Sequence, residues 1–376
     1  MVQSKASVRP AWLEIDLGQL KRNFEIINRD KPAALKFISV IKDQAYGHGA
    51  VEVGRVALEF GATHLAVATI DEGLELRKNG ITAPVMLFGE RTGEELKLCL
   101  QHDFTCFIND TEKADRFGRL AADAHKRAAV HLEVDTGLSR YGVRWTRASE
   151  VIEYIIKSKA LTLEGVMSHF AMSDELDKRY ALLQLERFQQ VLKEMDQRGI
   201  RVKCRHMCNT GGFLDLPQAH FDLVRTGILQ LGVYPSQVCR RISGLAPVMS
   251  VKCQVAAIRD LEVGDYVGYG MRYRAESPRR IAVLPVGYGD GYPRVRNHGH
   301  VLIHGKRAPI IGGNAMDAMM MDITEIPQTK LWDEVVLMGK QGDEEISVHE
   351  IAQLKGSVSY DILTGWSWRL PRRYVA

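Results

Sequence analysis

The sequence predicts an α/β chain: an N-terminal (β/α)8 barrel of the TIM type followed by a C-terminal, mostly β domain. Three observations predict it. From Phe37 onward, short apolar runs rich in β-branching alternate with helical patterns about eight times, the number that closes a barrel. No strand runs into a G-x-G-x-x-G turn, which disfavours an open dinucleotide-binding sheet. Beyond about Gly232 the long amphipathic helices stop and glycine-bounded strands take over. With 376 residues the chain is long enough for two domains. The expected boundaries are 1–240 for the barrel and 241–376 for the β domain, with the first residues, through about Trp12, able to pack on the latter.

In order, Trp12 to Asp16 reads as a strand, and Leu20, Phe24 and Ile27 recur at helical spacing up to Pro32. Phe37 to Ile41 is a buried strand, Ala50 to Phe60 a helix stopped by Gly61. Strands at Leu65 to Ala68, Val85 to Phe88 and Thr105 to Ile108 are each followed by a helix: Glu72 to Lys78, Glu94 to Leu100, and Glu112 to His125 after the capping pair Asn109-Asp110. Val130 to Val134, Leu163 to Met167, Cys204 to Met207 and Phe221 to Val224 are the remaining barrel strands, with helices at Glu150 to Lys157 and Tyr180 to Arg198. The β domain offers strands at Met249 to Ile258, Arg280 to Pro285, Val301 to Ile303, Lys306 to Ile310 and Val335 to Met338.

Composition narrows the function classes. Lys plus Arg number 50 against 46 Asp plus Glu, interleaved throughout, so there is no footprint for nucleic acid or an anionic membrane. No apolar run approaches the ~18 residues of a membrane span, and Met1 to Ser7 lacks a signal-peptide core, so a cytoplasmic protein acting on small molecules is expected. Six scattered cysteines suit free thiols in a reducing compartment. Cys204, His206 and Cys208 fall on one face of an alternating strand, but three ligands without a CxxC spacing make a weak zinc site. They read as core, and no metal is expected.

Chemistry concentrates where the Phe37 to Ile41 strand ends at Lys42. In a parallel barrel the C-terminal strand ends carry the active site, and a lysine between an apolar strand and a tight polar loop is partly desolvated. Its pKa falls and the free amine becomes available to a carbonyl. Arg140 leaves another strand end, through His131-Leu132-Glu133-Val134-Asp135-Thr136-Gly137, with a planar fork suited to a carboxylate and a phenolic oxygen. In the β domain, tyrosines separated by glycines crowd Val267-Gly268-Tyr269-Gly270-Met271-Arg272-Tyr273 and Gly287-Tyr288-Gly289-Asp290-Gly291-Tyr292, and some of them must face a cavity.

Lys42-Asp43-Gln44-Ala45-Tyr46-Gly47-His48-Gly49 resembles the lysine motif of the alanine racemase family, usually Lys-x-Asn-Ala-Tyr-Gly-His-Gly. Val134-Asp135-Thr136-Gly137 with Arg140 resembles a second family motif, and the match extends over nearly the whole chain in family order. The resemblance implies pyridoxal 5'-phosphate as cofactor, bound through Lys42, Tyr46, Asn209, Thr210, the backbone amides of Gly227 and Ile228, and Tyr360. It also implies that His169 bonds Arg225, which faces the pyridine nitrogen. An arginine there keeps its own protons, so the ring nitrogen stays unprotonated and transamination is suppressed. Arg140, Met316 through its backbone N–H, and Tyr292 at the entrance are implied to meet the substrate. Tyr273, reaching the site of the other subunit in a head-to-tail homodimer, is implied as the second acid/base beside Lys42.

The implied activity is an amino-acid racemase interconverting L- and D-alanine and supplying D-alanine for peptidoglycan. Alternatives are a racemase of a wider set such as serine, a decarboxylase of the same barrel class, which would bring a catalytic cysteine and a carboxylate where this chain has Arg225, and a non-catalytic cofactor carrier, which would not need the β domain. The departures are Gln44 for asparagine, Glu133 where the family often has a carbamylated lysine orienting the arginine, and Gly313 and Ala315 where it has arginine and cysteine. Gly313 is expected to widen the entrance and to let Asn314 approach the site.

Overall fold

The computed structural model describes residues 8–376, so the leaderless reading of Met1 to Ser7 concerns residues outside those described. Two compact units emerge: Leu20–Leu245, and the described residues through Gln19 together with Ala246–Ala376.

The first unit is the barrel. Eight parallel strands follow one another as Leu223–Thr226, Lys36–Val40, His64–Val67, Val85–Leu87, Phe104–Ile108, Ala128–Asp135, Leu161–Met167 and Cys204–His206. The last returns to the first through Asp222 N–H to Arg205 O at 3.1 Å and Arg225 N–H to Cys208 O at 2.9 Å. Strands buried on both faces explain the near-continuous apolar runs in the sequence. Helices alternate with them, and several start on capping residues: Thr69 and Thr92 form capping boxes with Glu72 and Glu95, and Asp110 caps Thr111–Asp123.

One strand of the barrel departs from expectation. The strand expected over Phe221 to Val224 runs instead from Leu223 to Thr226, because Phe221 has a φ of 49°, outside the extended region. The loop after Lys42 is a tight left-handed turn, with φ between 52° and 55° from Asp43 through Tyr46. Such a run is disfavoured for L-residues by about 1–2 kcal/mol each. Ala45 N–H to Ile41 O (2.8 Å) and Gly47 N–H to Asp43 O (3.0 Å) close it, and Gln44 fastens it at both ends of its amide, Nε2 to Glu75 at 2.6 Å and Oε1 from Ala50 N–H at 3.3 Å.

The second unit is a largely antiparallel sheet in the order Ala257–Leu261, Arg279–Leu284, Met319–Asp322, Lys306–Ile311, His300–Ile303, Glu334–Gln341, Met249–Gln254, Ala11–Asp16, Arg372–Val375. Ala11–Asp16 pairs antiparallel with Met249–Gln254 and parallel with Arg372–Val375. The run expected as one strand from Met249 to Ile258 is two, since Val255 N–H bonds Asp333 O while Ala256 N–H bonds Val283 O, a change of neighbour within one step. The unit also holds two helices that the sequence did not announce, Val348–Lys355 and Ser359–Gly365.

Candidate active site

Lys42 stands at the C-terminal end of the Lys36–Val40 strand, one residue beyond Ile41. Burial lowers its pKa first, and the Arg140 charge lowers it further against the opposing pull of Glu72 and Asp43. Arg140 itself is exposed after the Asp135 turn, where Asp135 Oδ1 accepts from Gly137 N–H (2.9 Å) and Ser139 N–H (3.0 Å). Glu133 is buried, and its carboxyl is raised by burial despite Arg140, Arg225 and Lys113. No ion pair joins Glu133 to Arg140 among the described residues, so its influence there is that of a nearby charge.

His169 and Arg225 do meet, as the sequence reading expected: Arg225 NH2 donates to His169 Nδ1 at 2.9 Å, to Ser168 O at 2.8 Å and to Met207 O at 3.0 Å. Arg225 NH1 donates to His206 Nδ1 at 2.8 Å, so His206 is a partner of the arginine and not only a core residue. The signal for it was present, because His206 lies on the strand next to Arg225 and alternation points it inward. Arginine only donates, so both imidazoles are neutral and protonated on Nε2. Burial, then the Arg225 charge, hold both well below the usual histidine pKa, while burial draws Arg225 itself down to about 10. A further layer supports the loop after Met167: Gln184 Nε2 donates to His169 O at 3.0 Å, and Ser168 shares a 2.8 Å hydroxyl bond with Thr136.

All the phosphate candidates except Tyr360 lie on the same unit. Gly227 follows the Leu223–Thr226 strand, and a Cβ there would stand 2.5 Å from the Tyr46 hydroxyl, so glycine makes the close approach possible. Ile228 opens the short turn Ile228–Leu231. Asn209 caps Thr210–Asp215, its Oδ1 accepting from Gly212 N–H at 3.0 Å and from Ser173 Oγ at 2.7 Å, which occupies the side chain structurally and leaves Thr210 at the helix start. Tyr hydroxyl, threonine hydroxyl and backbone N–H groups are the donor set an anion needs, and with the depressed amine of Lys42 the residues present fit pyridoxal 5'-phosphate.

On the β unit the picture departs from expectation. Tyr292 is 2% exposed, with its ring 6.4 Å from that of Trp366. A ring so enclosed does not suit an entrance. Tyr273 pairs with Val267 across a two-stranded hairpin and packs on the apolar cluster of Val267, Ile281 and Ile311. Tyr269, at the tip of that hairpin between the left-handed Gly268 and Gly270, is 74% exposed. Its backbone lies against Gly313: a Cβ on Gly313 would be 3.4 Å from Tyr269 O. Tyr288 is also exposed, and its turn presses on the Met316 segment through Gly289 N–H to Met316 O at 2.7 Å. Buried Asp290 anchors this turn, accepting from Arg9 at 2.7 and 2.8 Å and from Gly287 N–H at 3.0 Å. Met316 is exposed beside it. Asn314, expected to approach the site, is buried, with Oδ1 on Val295 N–H at 3.0 Å and Nδ2 on Pro293 O at 2.9 Å. Both ends of its amide are taken by backbone. Tyr360 is half-buried in Ser359–Gly365.

Comparison with known proteins matches the chain over nearly its whole length. The family model described as alanine racemase, N-terminal domain, covers residues 15–235, and that for the alanine racemase C-terminal domain covers residues 248–374. An alanine racemase of Carboxydothermus hydrogenoformans is 42% identical over 98% of this chain and 100% of its own length. Among solved structures, an alanine racemase of Clostridium difficile superposes with a TM-score of 0.94 at 32% identity, covering 98% of this chain and 96% of that one. The alanine racemase of Bacillus anthracis with bound L-Ala-P gives 0.91 at 33% identity, again over 98% and 96%.

Proposed function

The chain belongs to the alanine racemase family, and from that membership we propose that it is a pyridoxal 5'-phosphate-dependent enzyme interconverting L- and D-alanine by two bases on opposite faces of the α-carbon. The observation that carries the proposal is the half-buried Lys42 amine, depressed by burial and by Arg140, at a barrel strand end in the same unit as the His169–Arg225–His206 cluster. The cofactor, when bound, supplies an electron sink that acidifies the α-hydrogen. The chain's residues do the rest. Tyr46, Thr210 and the Gly227 and Ile228 amides hold the phosphate, with Tyr360 joining them by family resemblance. Arg225, which keeps its proton at working pH, would by family resemblance face the ring nitrogen and leave it unprotonated, which disfavours the decarboxylase reading. Arg140 and the Met316 N–H receive the substrate carboxylate, and Lys42 moves the α-proton on one face.

The base of the opposite face is Tyr269 rather than Tyr273. Exposure supports the choice, because an acid/base tyrosine must reach out of its own unit, and Tyr273 is held against Val267 and Ile311. By the same reasoning Tyr288, not Tyr292, lines the entrance. Family resemblance has these β-unit residues completing the site of a second subunit in a head-to-tail homodimer. The product serves as a peptidoglycan precursor, and we place the reaction in the cytoplasm, where the six free cysteines stay reduced.

A wider set of small amino acids is the second reading. Gly313 favours it: its φ is not left-handed and a Cβ would meet only ordinary contacts at 3.4 Å and beyond, so its glycine is not demanded by the backbone and leaves volume beside Tyr269. The test is to incubate the purified protein with each L-amino acid and measure its D-enantiomer by chiral chromatography. Formation of D-alanine above all others supports the proposal. No D-enantiomer from any of them, with cofactor added, refutes it.

A further inference from the structure

In the barrel the parallel register between Ala128–Asp135 and Leu161–Met167 slips after Val130. Val130 pairs with Leu163 but His131 pairs with Gly165, leaving Glu164 as an extra residue on one strand. At Gly165 a Cβ would stand 2.3 Å from Cε1 and 2.4 Å from Nδ1 of the His131 ring. The volume any other side chain would take is therefore occupied by an imidazole. His131 is 1% exposed and makes no contact that the reaction above uses. Its Nδ1 lies 2.9 Å from His206 Nε2.

The hydrogens along this line are fixed by the donor at its end. Arg225 NH1 donates to His206 Nδ1, so the His206 proton sits on Nε2 and points at His131 Nδ1, whose ring then carries its own hydrogen on Nε2. Arg225 NH2 has three acceptors, His169 Nδ1, Ser168 O and Met207 O, whereas NH1 has His206 alone among the described residues. One arm of the guanidinium is thus held only as well as His206 is held.

We propose that His131 is a positioning residue for the reaction: seated in the space that Gly165 leaves at the bulge, it accepts the His206 Nε2–H and so keeps His206 in the tautomer and orientation that fix Arg225. Without that acceptor, His206 has an unpaired N–H in the barrel interior or rotates to find another partner, and the NH1 arm loses its anchor. The consequence for the cofactor rests on the racemase reading. The tautomer chain does not.

The experiment is nitrogen-15 NMR of the histidine-labelled holoenzyme, with His131→Leu, His131→Asn and Gly165→Ala alongside. The native protein should show His206 and His131 both neutral with the proton on Nε2. His131→Leu should give His206 a mixture of tautomers, lower kcat and speed the bleaching of the cofactor band during turnover, each by about tenfold, as loss of an outer partner commonly does. His131→Asn, which keeps an acceptor close to the Nδ1 position, should return both to within about threefold of native, and Gly165→Ala should resemble His131→Leu. A native His206 carrying its proton on Nδ1 overturns the proposal whatever the variants do. So do a Leu variant with unchanged tautomer and bleaching, or Leu and Asn variants equally impaired. Should His131→Leu not fold, the native spectrum and the other two variants still decide. Should the protein racemise nothing, the spectra still test the tautomer chain separately.

Discussion

Arg225, on the barrel, is 3% exposed and bonded on both arms, while Tyr269 and Met316, on the β unit, are 74% and 56% exposed. The barrel's groups have their protonation states and directions set within their own unit by burial, a donor-only arginine and carbonyls. The β unit instead builds a glycine-rich hairpin tip and an Asp290-anchored turn, and leaves Tyr269, Tyr288 and Met316 exposed there, with Arg294 lying over the Tyr288 ring at 5.8 Å. A group of the first kind is tuned by its neighbours. One of the second kind acquires a role only from whatever it meets, which explains why chemistry on the β unit is harder to assign from the chain alone.

The comparison breaks most visibly at Lys42. On the proposed reading Lys42→Ala would remove a base and the attachment point at once, and racemisation should fall by about 10⁴-fold or more, with loss of the cofactor band in the protein as isolated. Activity retained within tenfold would mean that another group on the barrel does this work. On the β unit the contrast is between two tyrosines of one hairpin. Tyr269→Phe should slow α-hydrogen exchange in deuterated solvent by about 10²–10⁴-fold for one enantiomer and much less for the other, while Tyr273→Phe stays within about threefold of native. The reverse order would restore Tyr273 as the base and show that exposure is a poor guide here.

Buried histidines sharpen the comparison through pH. His131 is pushed to about 3 by burial, with His64 and Arg225 adding to it, and His169 and His206 also lie well below 6.5. In the unfolded chain each protonates near its ordinary pKa of ~6.5, so below that value the unfolded state binds more protons and folding weakens as pH falls. The contribution is fully present above ~6.5 and is lost on the way down towards 3, at up to about 1.4 kcal/mol per pH unit for each histidine. Urea unfolding followed from pH 7 to pH 5 should show it, and replacing His131 by Asn should flatten the slope. A slope unchanged by that replacement would place the proton uptake elsewhere.

The smallest effect is expected at Gly313, where Gly313→Arg would fill space beside Tyr269 and depress kcat/KM for serine more than for alanine, by about tenfold in the ratio. Equal losses for both substrates would mean that this glycine does not set specificity.

Much of this was legible in the sequence because it depends on local pattern. The alternation of strands with helices, the helix cap at Asp110, and the lysine and arginine at strand ends need only neighbours within a few residues. The contact of His169 with Arg225 came from family resemblance rather than from local pattern, and the barrel realises it across 56 residues of sequence. What the tertiary structure alone decided is which of several equivalent residues faces what. Tyr269 and Tyr273 are four apart on one hairpin and indistinguishable by composition, and only the packing of Val267, Ile281 and Ile311 claims the second. Tyr292 and Tyr288 differ in the same way. His206 became the second anchor of Arg225, and Gly165 the space for His131, through pairings between strands distant in sequence. Register slips and ring contacts of that kind arise from long-range closure of the barrel, which no short window of residues encodes.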